Sequence, residues 1–381
     1  MLDVLLTGGA SFIITFLAIP VIMKIANEKK LYDVPDARKL HKNTIASLGG
    51  VGIFAGFFLA CLLSVSTKTN PEFQYFFAAA FIIFFLGLKD DIIVLTATKK
   101  LIGQISAAAI LIHLAGIRLT SMYGLFGMQE LPSIYGTALT YVTIILIINA
   151  YNLIDGVDGL AGMLGLLTMS IFGSYFFLVD MPAYALLAFS FAGSLFAFLI
   201  FNYNPAKIFM GDCGSLVLGL VNAILVIKFI TVSDSTGTSL PIESSVAVGI
   251  SILIVPLMDT IRVFSIRVFQ GRSPFSPDRN HIHHLLLDRG LTHKYVTLCC
   301  LLLNITFISI AYFGRSLGPT NLLISMACIS MTFLGVLIFY KKPVRKIILV
   351  AKPLQASTKI IAHPETKVVA INKEIAAMAE S

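Results

Sequence analysis

The chain has 381 residues, a formal net charge of +8, 57% hydrophobic residues and only 13% charged ones, with a mean hydropathy of +0.89. Soluble domains carry about 25% charged residues, so this composition excludes a water-soluble globular fold and leaves an integral membrane protein. The five cysteines Cys61, Cys213, Cys299, Cys300 and Cys328 show no CxxC spacing, which excludes a disulfide framework or a cysteine-based zinc site.

A bilayer-spanning helix needs about 20 mostly apolar residues, and lipid offers backbone polar groups no partner outside helices and closed barrels. The apolar runs predict eleven helical spans, at 3–24, 48–66, 72–88, 100–116, 134–149, 160–180, 183–201, 213–232, 241–261, 296–314 and 320–340. The first run has no basic segment before it, so it reads as a full span and not as a cleaved signal peptide. The expected fold is an all-α polytopic membrane protein, with residues 1–340 as the embedded domain and 341–381 as a basic tail.

Lys and Arg accumulate on the cytoplasmic side of short loops. Of the 28 Lys and Arg, only Lys68, Arg118 and Arg315 fall in loops on the opposite side, with Lys228 inside a span. The N-terminus is therefore expected outside and the tail in the cytoplasm. That parity puts every polar cluster on the cytoplasmic face.

The clusters follow in chain order. Asp33, Asp36, Arg38, Lys39, His41 and Lys42 lead into Ser47-Leu48-Gly49-Gly50. Basic groups before a Gly pair at a helix start suit phosphate, and Lys42, nearest the turn, is the candidate. Asp90-Asp91 closes the third span; alone, the pair reads equally well as a solvated helix end. Asn149, Asn152 and Asp155 are spaced by three, so a helical turn puts them on one face. With Asp158 they form an acidic stretch with no balancing Lys or Arg, which calls for a metal or a cationic partner.

Asn202 opens the next cluster, which ends at Gly211 and Asp212. Asp212 sits at a helix start, where an anion serves either as a cap or as a metal ligand. The last cluster holds Arg267, Asp278, Arg279, Asn280, His281, His283 and His284. Zinc would need further Cys or His at ligand spacing. Histidines and arginines that donate to phosphate oxygens fit better beside a carboxylate-held cation. Many hard oxygen ligands on one face suit Mg²⁺ or Mn²⁺ completed by substrate phosphates, and phosphoryl or phosphosugar transfer uses both.

Asp90-Asp91, the 149–158 stretch, Phe209-Met210-Gly211-Asp212-Cys213-Gly214-Ser215 and His281-Ile282-His283-His284 together resemble the polyprenyl-phosphate N-acetylhexosamine-1-phosphate transferase family. The histidine motif, preceded by Asp278-Arg279-Asn280, is similar to its WecA/TagO branch. Ile45-Ala46-Ser47-Leu48-Gly49-Gly50 departs from the Pro-Thr-Met-Gly-Gly turn of the MurNAc-pentapeptide enzymes of the same superfamily. The resemblance implies a bacterial inner-membrane enzyme with UDP-GlcNAc as donor, undecaprenyl phosphate as acceptor and UMP as product. Other UDP-N-acetylhexosamines and UDP-MurNAc-pentapeptide are the alternative donors.

On this reading Asp212 ligates the metal with help from Asp91, and Asp90 orients or deprotonates the acceptor phosphate. Asp155 and Asp158, with Asn149 and Asn152, bind the nucleotide and support the metal. Arg267, Arg279, His281, His283 and His284 hold diphosphate and sugar, and Lys42 sits by the acceptor phosphate. Asn202 and Gly211 complete the substrate contacts. Membrane lipids are the expected surroundings, a homodimer is compatible with the sequence, and no nucleic-acid partner is expected. A secondary transporter would place ionisable groups near the bilayer midplane, often between repeated halves; here they gather at one face without a repeat.

Overall fold

A computed structural model describes residues 1–29, 45–234, 237–273 and 281–339. Lys42, Arg279, Asp278, Asn280, the 30–44 segment and the tail 341–381 lie outside the described residues. The described residues form thirteen α-helices: α1 (Leu2–Lys29), α2 (Gly49–Ser64), α3 (Glu72–Ile92), α4 (Ala97–His113), α5 (Ser133–Ile154), α6 (Leu160–Leu178), α7 (Pro182–Asn202), α8 (Gly211–Ser233), α9 (Ser245–Ile252), α10 (Ile254–Phe269), α11 (Ile282–Leu287), α12 (His293–Phe313) and α13 (Pro319–Phe339). Ten of the predicted spans fall on one helix each, and the one at 241–261 falls on two. Seven of them (α1, α5, α6, α7, α8, α12 and α13) are long and apolar enough to cross a membrane, or eight if α9 and α10 count as one bent crossing. The apolar α2 is shorter.

The bundle is built around α8. Within its most apolar stretch 83% of residues are buried, against 22% in α1 and 28% in α13. A helix that is apolar all round belongs in the interior, and α8 packs on α2, α3, α5, α6 and α9. Helices α1, α12 and α13 turn exposed Leu, Ile and Phe side chains outward, as helices facing lipid must.

The predicted span at 241–261 is not one straight helix. It breaks at Leu253 into α9 and α10, which meet at 84°. The cause is Pro256. It has no N–H for the carbonyl of Ile252 four residues back, and its ring crowds that position. The buried Asn304 of α12 makes good the loss: its Nδ2 donates to the Ile252 carbonyl at 3.0 Å, and its Oδ1 accepts from the Val255 N–H at 3.2 Å. One carboxamide thus satisfies both sides of the break, and α10 is directed across one end of the bundle.

Candidate active site

Four helix ends converge at that end of the bundle: the last turns of α3 and α5 and the first turns of α4 and α8. The second half of α10 and the short α11 close the space from the side. Between them lies a cavity of about 470 Å³. Its polar lining is Lys100, Gln104, Asn149, Asn152, Arg267, His281, His283 and His284, with Leu95, Leu101, Leu153 and Phe264 among the apolar walls.

The carboxylates divide into two functions. Asp91 accepts the backbone N–H groups of Asp212 and Cys213, at 2.7 and 3.0 Å, one on each carboxylate oxygen. It therefore caps α8 from another helix, a favourable place for an anion. Gly211 makes this possible: its φ is +73°, and a Cβ there would collide with the Ser47 carbonyl and approach the Asp91 carboxylate. Gly211 is thus a backbone requirement of the turn, with no side chain to offer a substrate.

Asp90 and Asp212 share a cation. The Lys100 ammonium pairs with Asp90 Oδ2 and lies 2.7 Å from Asp212 Oδ2. Asn152 Nδ2 donates to Asp212 Oδ1 at 2.9 Å and to Ser215 Oγ at 3.1 Å. Asp90 Oδ1 accepts the Leu95 N–H at 2.6 Å. Asp155 stands nearby as the C-cap of α5. Burial, then the negative charges of Asp212, Asp91 and Asp158, push its carboxyl up to about 8, so it carries a proton at neutral pH.

The histidines form the opposite wall. His283 lies 4.4 Å from His284 and 5.5 Å from His281, ring centre to ring centre. Burial first, then neighbouring His284, lower His283 to about 3, so it faces the cavity as a neutral imidazole. Its ring rests against Gly156, where a Cβ would overlap it. Arg267 is buried, its guanidinium 5.8 Å from the Phe264 ring centre.

Several expected site residues serve the scaffold. Asn202 spends its carboxamide on the loops: Oδ1 accepts the Gly159 N–H at 2.9 Å, and Nδ2 donates to the Ile208 carbonyl at 2.8 Å. Asp158 is buried away from the cavity lining. Its Oδ2 accepts from Asn204 Nδ2 and the Ala206 N–H, at 2.8 and 3.2 Å, and its Oδ1 lies 3.2 Å from His293 Nδ1. That side chain ties three loops and helix starts together. Asn149 lines the cavity but pairs with Gln104, donating to Oε1 at 2.8 Å and to the Ile145 carbonyl at 2.7 Å.

Three residues escaped the sequence reading: Lys100, Gln104 and Asp259. Lys100 passed as a topology anchor. Gln104 lay inside a predicted span. Asp259 carried a usable signal, a charged residue near the end of an apolar run, which is costly unless it has a purpose.

No group of three or more His, Cys, Asp or Glu stands ready to hold a metal among the described residues. The donor set still suits Mg²⁺, which binds one or two carboxylates and takes its remaining ligands from water and substrate phosphates. Two carboxylates already facing one cation, and the crowding that protonates Asp155, mark a place where extra positive charge is welcome.

An apolar helical bundle with one polar cavity lined by a lysine, an arginine and histidines, and with two carboxylates on that lysine, fits a polytopic membrane transferase. Residues 73–230 match the sequence profile of glycosyl transferase family 4. A decaprenyl-phosphate N-acetylglucosaminephosphotransferase of Mycobacterium leprae is 32% identical over 349 residues, 82% of this chain and 83% of its own. Undecaprenyl-phosphate alpha-N-acetylglucosaminyl 1-phosphate transferases are also similar. That of Yersinia pestis is 29% identical, covering 72% of this chain and 74% of its own. That of Escherichia coli K12 is 28% identical, covering 74% and 76%. The chain belongs to glycosyl transferase family 4.

Proposed function

We propose that this protein transfers N-acetylglucosamine-1-phosphate from UDP-GlcNAc to a polyprenyl phosphate, with undecaprenyl phosphate as the acceptor; the similar enzymes name undecaprenyl phosphate or decaprenyl phosphate. The observation that carries the reading is the Asp90–Lys100–Asp212 cluster, whose Lys100 lines one cavity together with Arg267 and the three histidines. In the reaction an oxygen of the acceptor phosphate forms a bond to the sugar-linked phosphorus of the donor. The bond from that phosphorus to the bridging oxygen breaks, and UMP departs with the bonding pair.

The acceptor is a phosphate monoester, mostly dianionic at neutral pH with a second pKa of about 6, so the main barrier is bringing two anions together. Lys100 and Arg267 reduce that repulsion and hold the phosphates in line. Asp90, fixed by the Leu95 N–H and by Lys100, orients the acceptor. Asn152, its NH₂ group committed to Asp212 and Ser215, offers its carboxamide oxygen as an acceptor to the nucleotide, and the protonated Asp155 offers a donor. Mg²⁺, with Mn²⁺ as a substitute, is the proposed cofactor, held by Asp212 and by Asp90. Asp91 is the poorer ligand because both its oxygens cap α8. Charge neutralisation of the donor diphosphate and of the departing UMP is the chemistry such an ion supplies.

The bias of Lys and Arg toward the side of the site supports a cytoplasmic cavity and an outer N-terminus. Counting α2, α3, α4 and the bent pair with the seven long helices gives the eleven crossings of a bacterial inner-membrane enzyme. The test is UMP release by detergent-solubilised protein given undecaprenyl phosphate, Mg²⁺ and a panel of UDP-sugars. UMP formed with UDP-GlcNAc, and lost with EDTA or in Asp212→Asn, is expected. UMP from a different UDP-N-acetylhexosamine would replace the sugar, and no UMP from folded protein with any donor would overturn the reading.

A further inference from the structure

Asp259 lies on α10, 1% exposed, and its two oxygens have different partners. Oδ1 accepts the Ile282 N–H at 2.8 Å and the Arg262 guanidinium at 3.2 Å. Oδ2 faces Nδ1 of His281 at 2.8 Å. Two donors on one oxygen fix the orientation of the carboxylate and commit the other oxygen to the imidazole. A carboxylate at one ring nitrogen holds the proton there and sets the form the ring presents elsewhere. His281 lines the cavity. Its ring lies nearly parallel to that of His283, with 7° between the planes, and the 2.8 Å contact to Asp259 Oδ2 is made by Nδ1.

We propose that Asp259 is a positioning residue of the transfer reaction, holding His281 with its proton on Nδ1 so that Nε2 is the atom offered to the substrate. In its neutral form the ring so held carries a lone pair at Nε2, which accepts from a hydroxyl or amide N–H and repels a phosphate oxygen. An N-acetylated sugar carries both such donors. His281 then reads the sugar and leaves the diphosphate to Arg267 and Lys100, in contrast to the phosphate-binding role its motif suggests. The role in turnover rests on the transferase reading above; the protonation pattern does not.

Asp259→Asn separates this from a structural tie. Asparagine has the same shape, and its carbonyl oxygen must stay on the Ile282 N–H and Arg262, because the reverse orientation sets an NH₂ group against two donors. The NH₂ group therefore faces His281 Nδ1, which must give up its proton and accept. The imidazole is driven to the Nε2–H form with little change in packing.

The experiment is nitrogen NMR of histidine-labelled full-length protein at mildly alkaline pH, with His281 identified by its loss in His281→Gln. Steady-state kinetics with varied UDP-GlcNAc run beside it. Expected are a proton on Nδ1 in the unaltered protein, a bare Nδ1 in Asp259→Asn, and kcat lowered roughly 10- to 100-fold in a variant that keeps its melting temperature. A bare Nδ1 in the unaltered protein would overturn the proposal whether or not the variant folds. So would a moved proton with kcat unchanged. Absence of any turnover by the unaltered protein removes the transferase reading and with it the catalytic role, while the NMR result still decides the geometry.

Discussion

Lys100 Nζ and Asp212 Oδ2 meet at 2.7 Å across 112 positions of sequence, joining the first turn of α4 to the first turn of α8. The same ammonium pairs with Asp90, so one cation holds two carboxylates that would otherwise repel.

Lys100→Met removes that cation and leaves Asp90 and Asp212 facing each other. Losing one partner of a buried pair costs about 3–5 kcal/mol. Lys100 and Asp212 are each more than a quarter exposed, so solvent screening reduces the cost to roughly 1–3 kcal/mol. The expected result is a lower melting temperature in detergent, a larger upward shift on adding Mg²⁺ than the unaltered protein shows, and loss of UMP release. A variant that melts normally and ignores Mg²⁺ would contradict the shared-cation arrangement.

Asp91→Ala strips the cap from α8 and leaves two backbone N–H groups without their acceptors. A lost cap costs about 0.5–2 kcal/mol, and Asp212 is the residue that moves with the freed turn. Thermal unfolding should show the destabilisation, and UMP release should fall further than stability alone explains. Asp91→Asn supplies one carbonyl oxygen for two N–H groups and should fall between the two.

Two shifted groups give the pH dependence of stability opposite signs in overlapping windows. Asp155 has a raised folded pKa, about 8, so the folded state binds the extra proton. Its contribution to stability is fully present below the ordinary carboxylate value of about 3.9 and is lost as pH rises through 8. His283, lowered to about 3, works oppositely: its contribution is present above about 6.5 and is lost as pH falls toward 3. Between about pH 4 and 8 Asp155 should therefore lower the melting temperature as pH rises, and Asp155→Asn should remove that part of the slope. Between about pH 6.5 and 3 His283 should lower it as pH falls, and His283→Gln should make that decline less steep. A slope between about pH 6.5 and 8, where His283 no longer titrates, that is identical in Asp155→Asn would show that another group causes it.

Asn304→Ala exposes the break between α9 and α10. The Ile252 carbonyl and the Val255 N–H lose their partners in a dry interior, at about 1–3 kcal/mol for each group. Pro256→Ala restores a chain N–H to the Ile252 carbonyl and should partly rescue the Asn304→Ala variant in an unfolding titration. The double variant being additive, with no rescue, would assign the bend to something other than that carbonyl.

The polar clusters were legible because a charge that interrupts apolar sequence is costly wherever it sits, so the signal needs no tertiary information. Asp90, Asn152, Asp155, Asp212, His281 and His283 were found in this way, and the structure gathers them at one end of the bundle. Residue type does not reveal which polar atoms are consumed inside the fold. Asp158 and Asn202 share the chemistry of Asp212 and Asn152 and differ only in their contacts. Lys100 was hidden because lysine at a span boundary is common for topological reasons alone. The bend was hidden because Pro256 sits in an apolar run, and its partner, Asn304, is 48 residues further on.

Helix α8 is sheathed by α2, α3, α5, α6, α7 and α9, and its first turn is clamped between Ser47 and Asp91. A Cβ at Gly211 or Gly214 would meet Ser47, Asp91, Met210 or Gly50, so that turn leaves little room for larger side chains. The wall formed by α10 and α11 packs on α5, α12 and α13 and is tied by the Asn304 carboxamide and the Asp259 carboxylate. A lineage that exchanges one donor for another therefore has little room to do so on this buried axis. Such divergence is cheapest on that wall, where a new contour can be tried while the phosphate-handling half keeps its register.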